Sequence, residues 1–161
     1  MMTVLLDIQL VSEHDDIPGR EAMQRWLDAA LQDRHPDAEV VVRIVDEQES
    51  HDLNLQYREM DKPTNVLSFP FEVPAVVQPD MERILLGDLV ICAPVVASEA
   101  IQQSKNIEAH WAHILIHGAL HLCGYDHQND VQANEMEALE TKIITGLGFA
   151  PPYESESQAS A

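Results

Sequence analysis

Aromatic side chains are scarce in this chain of 161 residues, where Phe, Trp and Tyr together make up 5%. Any core must therefore rest on Leu, Ile, Val and Ala. Cysteine is nearly absent, and the two present, Cys92 and Cys123, are not spaced as a disulfide framework. They are expected to be small buried apolar side chains in a reducing compartment. No run of about 18 apolar residues occurs, which argues against a membrane span. The first ten residues are apolar but few, carry Asp7 and have no basic residue ahead of them. A secretory signal is therefore not expected, and the cytoplasm is the simplest assignment. Positive charge is short as well: nine Lys and Arg face 28 Asp and Glu, a formal net charge of −19. Such a chain repels phosphate backbones at long range, so composition alone speaks against a nucleic-acid partner.

What is present suffices for a folded unit. Hydrophobic residues make up 45% of the chain, and its length fits one domain of ordinary size. Residues 1–150 are expected to form that domain. Residues 151–161, with Pro151-Pro152 and a Ser/Glu/Ala run, read as a flexible tail. Strands are expected at 3–10, 39–46, 66–71 and 83–93 from their β-branched runs. Pro70 confines the third strand to an edge, because proline cannot donate to a ladder. Gly87-Asp88 marks a bulge or a close backbone approach in the fourth. Residues 72–81, with Pro74 and Pro79, read as a loop.

Helices are expected from a first turn holding Pro18, with Met23, Trp26, Leu27, Ala30 and Leu31 at helical spacing; after a Ser50 cap to Met60; and from Pro94 to Lys105. Two more run from an Asn106 cap to Cys123, and over 130–147 with Met136, Leu139, Ile143 and Leu147 inward. This order suggests an α+β fold, a small mixed sheet covered by helices.

The informative segment runs from His113 to His127. His117 and His121 are four apart, so on a helix they project from one face, one turn apart. Two neutral imidazoles so placed can grip one cation at about 2.0–2.1 Å each. A third ligand must come from off the helix. Gly124 can adopt the left-handed backbone that ends the helix and turns the chain back, which lets His127 complete a facial set. Structural metal sites are usually four-coordinate and cysteine-rich, whereas three imidazoles leave a position for water. Cys123 is the one nearby thiol, and its helical phase places it away from the pair. The spacing equals that of the metzincin zinc proteases, H-E-x-x-H-x-x-G-x-x-H, with one departure. Their glutamate base falls at position 118, where this chain has Gly118, which can abstract no proton.

From His117 to His127 the chain resembles the YbeY family of bacterial endoribonucleases, the rRNA maturation factors, whose pattern is H-G-x-L-H-L-x-G-Y-D-H. Further matching blocks are Leu53-Asn54-Leu55-Gln56-Tyr57-Arg58, Asp61-Lys62-Pro63-Thr64-Asn65-Val66-Leu67-Ser68-Phe69-Pro70 and Leu86-Gly87-Asp88-Leu89-Val90-Ile91-Cys92. Asn65 departs from the pattern, which usually has Asp there. The resemblance implies a zincin-like fold, a mixed four-stranded sheet with the metal helix packed on it. It also implies a metal-dependent single-strand endoribonuclease acting in 3′-end maturation of small-subunit (16S) rRNA and in ribosome quality control. Its functionally important arginine corresponds to Arg58.

The chemistry expected is metal-assisted hydrolysis. A cation on His117, His121 and His127 would lower the pKa of bound water towards about 7. Arg58 would grip phosphate oxygens as negative charge builds in the transition state. Zinc suits three imidazoles best; nickel, cobalt or iron share the donor chemistry. For the acid or base the candidates are few. Asp126 could orient an imidazole, His113 reads as an interior histidine, and Asp88 and Ser68 are weaker candidates. Glu135, Glu137 and Glu140 are expected on a solvated face pointing away from the site. With so little positive charge, binding to free RNA should be weak and salt-sensitive, and the ribosome or small-subunit proteins are expected as partners. No DNA or membrane partner is expected. Two rival readings are a zincin-like hydrolase of a non-nucleic substrate and a non-catalytic ribosome-assembly factor with a structural metal.

Overall fold

The computed structural model describes residues 4–71, 84–125 and 129–152. Among them the β-branched runs form β1 (Leu5–Leu10), β2 (Ala38–Val45), β3 (Val66–Pro70) and β4 (Ile84–Cys92). The helices are α1 (Arg20–Leu31), α2 (Glu47–Arg58), α3 (Ala93–Gln102), α4 (Ile107–Leu122) and α5 (Asp130–Gly146). The strands order as β1-β2-β4-β3. β1, β2 and β4 run parallel, and β3 pairs antiparallel to β4 at the edge, as Pro70 requires. The α+β architecture with a small mixed four-stranded sheet is the one expected. Residues 72–81, expected as a loop, Arg83 and residues 153–161 lie outside the described residues.

Strand alternation sorts the side chains onto two faces. Leu6, Val40, Val42, Ile44, Leu89 and Ile91 point to one face, into the main core with α1 and α4. Val45, Leu67, Val90 and Cys92 point to the other, where Leu53 of α2 covers them. All five apolar residues expected on the inner face of α1, from Met23 to Leu31, are buried.

α4 is the central helix. It touches α1, α3, α5, β3 and β4, and Trp111, Leu115, Ile116, Ala119 and Leu120 are all fully buried. A helix apolar on so many sides belongs inside. Asn106 caps it as expected, its side chain accepting from the amides of Glu108 and Ala109. A histidine pair on such a helix is held by the core beneath it.

Gly87 combines both expected roles. The pairing shifts between Glu39 and Val40, which face Leu85 and Gly87 in turn, so Leu86 is the extra residue of a bulge. Gly87 sits at φ +152°, and a Cβ there would lie 2.4 Å from the Phe69 carbonyl oxygen and 2.9 Å from Pro70 Cα. Only glycine fits.

Ser50 is a correction. Asp46 precedes α2, Glu47 and Glu49 occupy its first turn, and Ser50 lies inside the helix, almost wholly buried. Its hydroxyl donates to the Thr64 carbonyl and accepts from the Thr64 amide, both at 3.0 Å. Asn54, one turn on, donates to the Lys62 carbonyl at 2.8 Å. The polar residues of α2 thus fasten the 61–65 turn instead of starting the helix. Pro18 likewise lies outside α1, whose cap is Gly19. Among the described residues, no helix is long and apolar enough to cross a membrane.

Candidate metal centre

His113, His117 and His121 follow one another at turn spacing along α4, which places their rings in a row. The Nε2 atoms of His117 and His121 approach to 3.2 Å, with the ring planes 79° apart. At that 3.2 Å separation, two imidazoles each about 2.0–2.1 Å from one ion would subtend about 100° there, near the tetrahedral value. The pair therefore fits a transition-metal ion. Beyond it α4 ends, and Gly124 adopts the expected positive φ, at +100°. Residues 126–128, with the expected third ligand His127 and its neighbour Asp126, lie outside the described residues.

Glu140 overturns its expected place on a solvated face. It is 1% exposed, and its carboxylate reaches α4 from α5. Oε1 lies 2.7 Å from His113 Nε2, and Oε2 lies 3.2 Å from His117 Nδ1. Burial pushes its pKa up, but the hydrogen bonds to His113 and His117 outweigh that and hold it down to about 2. Burial also lowers the pKa of His113, which favours a neutral ring that donates to the carboxylate. His113 is thus an interior histidine with a defined partner. Its donors, with those of His117 and Glu140, lie within 4.8 Å of one another, so this set too has the chemistry to hold an ion. Sequence reasoning missed Glu140, although a signal existed. It falls four residues after Met136 and four before Ile144, both buried on α5. Glu135, by contrast, is exposed as expected.

A cleft of about 410 Å³ opens beside the pair, lined by Arg58, Thr64, Asn65, Ser68, His117, His121 and Tyr125 among others. Arg58 comes from the last turn of α2, exposed, and is brought to the same cleft as the histidines. Ser68 projects from β3 toward α4, its hydroxyl 3.3 Å from the Gly118 carbonyl it donates to. Gly118 faces the sheet. A Cβ there would come within 2.9 Å of Leu89 Cδ2 and 3.2 Å of Val66 Cγ2. A glutamate at 118 would have to displace these two core side chains, so the position is crowded as well as lacking the metzincin base. Cys123 packs against the core, and burial pushes its thiol up to about 11, so it stays protonated. Asp88 lies on the strand face opposite Leu89, largely open to solvent, and partial desolvation of its carboxyl raises its pKa.

The departure at Asn65 has a partner. Its amide donates to both oxygens of Glu99 on α3, at 3.1 and 3.3 Å. Glu99 also meets His110 of α4 at 2.9 Å. Burial raises the Glu99 pKa, yet the hydrogen bonds from His110 and Asn65 prevail and leave it below its ordinary value. This partly buried link ties the cleft-lining loop to α3 and to α4.

Residues 8–148 match the family described as Endoribonuclease YbeY. The solution structure of TM1509 from Thermotoga maritima superposes with a TM-score of 0.59 at 28% identity, covering 87% of this chain and 87% of that one.

Proposed function

This chain belongs to the YbeY endoribonuclease family, and from that membership we propose that it is a metal-dependent single-strand endoribonuclease of rRNA maturation, acting on the 3′ end of small-subunit (16S) rRNA. The observation that carries the metal reading is the 3.2 Å convergence of His117 and His121 beside a cleft that Arg58 also lines. His117, His121 and His127 hold the ion in this reading, and zinc suits the three nitrogen donors best.

A bound divalent ion supplies Lewis acidity to water and to a phosphoryl oxygen. The chain's own residues do the rest. Arg58 offers a planar fork of N–H donors to the phosphate oxygens as their charge grows. Thr64, Asn65 and Ser68 form the polar wall opposite α4, and the wall is preset because Ser50, Asn54 and Glu99 fasten its backbone and side chains. Partners in this reading are single-stranded rRNA and the ribosome or its small-subunit proteins, in the cytoplasm. The ribosomal partner compensates for the net charge of −19, which repels free RNA.

Purified protein incubated with labelled rRNA precursor and with casein, each with and without chelator, tests the reading. Chelator-sensitive cleavage of RNA alone supports it. Cleavage of casein, or RNA cleavage indifferent to chelator, overturns it. The crowded Gly118 position counts against the peptidase alternative.

A further inference from the structure

We infer that Glu140 is the positioning residue of the metal centre, its carboxylate fixing the tautomer and ring plane of His117. The inference rests on the reading that His117 and His121 hold the ion.

Imidazole presents two nitrogens, and in a neutral ring only one carries the proton. A metal ligand must offer the bare one. Glu140 Oε2 lies 3.2 Å from His117 Nδ1, and an ionised carboxylate can only accept. The His117 proton therefore sits on Nδ1, and the Nε2 lone pair is left toward His121. The same carboxylate cannot swing away, because its other oxygen accepts from His113 Nε2 at 2.7 Å. At 1% exposure it is shielded from bulk solvent. Two turns of α4 thus grip one carboxylate from α5, and the grip sets the orientation of the ring between them. Carboxylate support behind a ligating histidine recurs in metal sites, where its loss typically costs 10–100-fold in affinity.

The competing geometry makes Glu140 a ligand itself, together with His113 and His117. The position of His117 decides against it. Its Nε2 is the nitrogen that pairs with His121, and both residues line the open cleft, whereas Glu140 is sealed behind them.

Zinc affinity, measured by competition with a chromogenic chelator, separates these readings. Glu140→Gln keeps one acceptor oxygen but turns an NH2 group toward the other imidazole N–H. We expect Glu140→Gln to melt cooperatively and to bind zinc 10–100-fold more weakly. His121→Ala should lose zinc more severely, and His113→Phe should lose less than His121→Ala. Nitrogen-15 NMR of the metal-free wild type should show the His117 proton on Nδ1, a readout that needs no variant to fold. A proton on Nε2, or wild-type zinc affinity in Glu140→Gln, overturns the inference while leaving the His117–His121 site standing. If His121→Ala keeps zinc while Glu140→Gln and His113→Phe both lose it, the ion sits on the other three donors. The underlying site reading then fails as well.

Discussion

Asn65 donates through its amide nitrogen to both oxygens of Glu99, at 3.1 and 3.3 Å, at the position where the chain departs from the aspartate of the family pattern. An aspartate there would face Glu99 with a second carboxylate and no donor between them. Asn65→Asp should therefore destabilise the protein by about 1–2 kcal/mol, the cost of losing one of the donors to a partly buried carboxylate that His110 still meets. The loss should be larger at pH 8 than at pH 5, because one of two facing carboxylates keeps its proton at the lower pH. Thermal melts at both values check this; an equal loss at both would remove the charge explanation.

The wild-type pH profile follows from Glu99 with the opposite sign. Its pKa is lowered in the folded state, so it contributes stability above the ordinary carboxylate range. That contribution is lost as pH falls through its folded value. Glu99→Gln should accordingly flatten the acid limb of a stability curve measured by urea titration between pH 3 and pH 7 (about the carboxylate range). An unchanged limb would assign the acid sensitivity elsewhere.

His117→Ala and His121→Ala should each abolish chelator-sensitive RNA cleavage and leave a folded protein. The core beneath α4 is apolar and continuous, which is why folding is expected to survive loss of an ion. Circular dichroism of the two variants distinguishes this from a structural metal, for which either change would unfold the domain.

Arg58 is exposed at the end of α2, and its removal should cost activity without cost in stability. Arg58→Ala is expected to slow cleavage by about 10²–10³-fold, with stability changed by less than about 0.5 kcal/mol. Arg58→Lys should recover only part, since an ammonium cannot grip two oxygens in one plane. Full activity in Arg58→Ala would remove this residue from the mechanism.

Gly118→Glu restores the metzincin pattern on paper. In the fold its Cβ meets Leu89 and Val66, so the change should cost on the order of 3 kcal/mol and confer no proteolysis. A stable variant that cleaves casein would contradict the packing described here.

Local signals were legible and distant ones were not. Asn106, the His117–His121 spacing and Gly124 lie within one helix and its ends, where periodicity and capping rules act directly. The edge placement of β3 followed from Pro70 alone, and the bulge at Gly87 from one glycine in a strand. Glu140 and Glu99 carry their meaning across 23 and 34 residues, to His117 and Asn65 respectively, and no local rule spans that. A buried glutamate on an acidic helix reads as solvated until its partner is known. Ser50 was misplaced because two uses of a serine compete. Its hydroxyl serves a turn 14 residues away, while Asp46 stands before the helix. Arg58 came to notice through the family resemblance, and the fold then brought it to the cleft.

Gly87 bears on how any mutational map of this protein should be interpreted. With a carbonyl oxygen 2.4 Å from where a side chain would begin, position 87 should tolerate no replacement, and a screen scored on activity would rank it beside the histidines. Its sensitivity would be spatial. Residues identified by such a screen separate into chemists and spacers only when abundance of folded protein is scored in parallel.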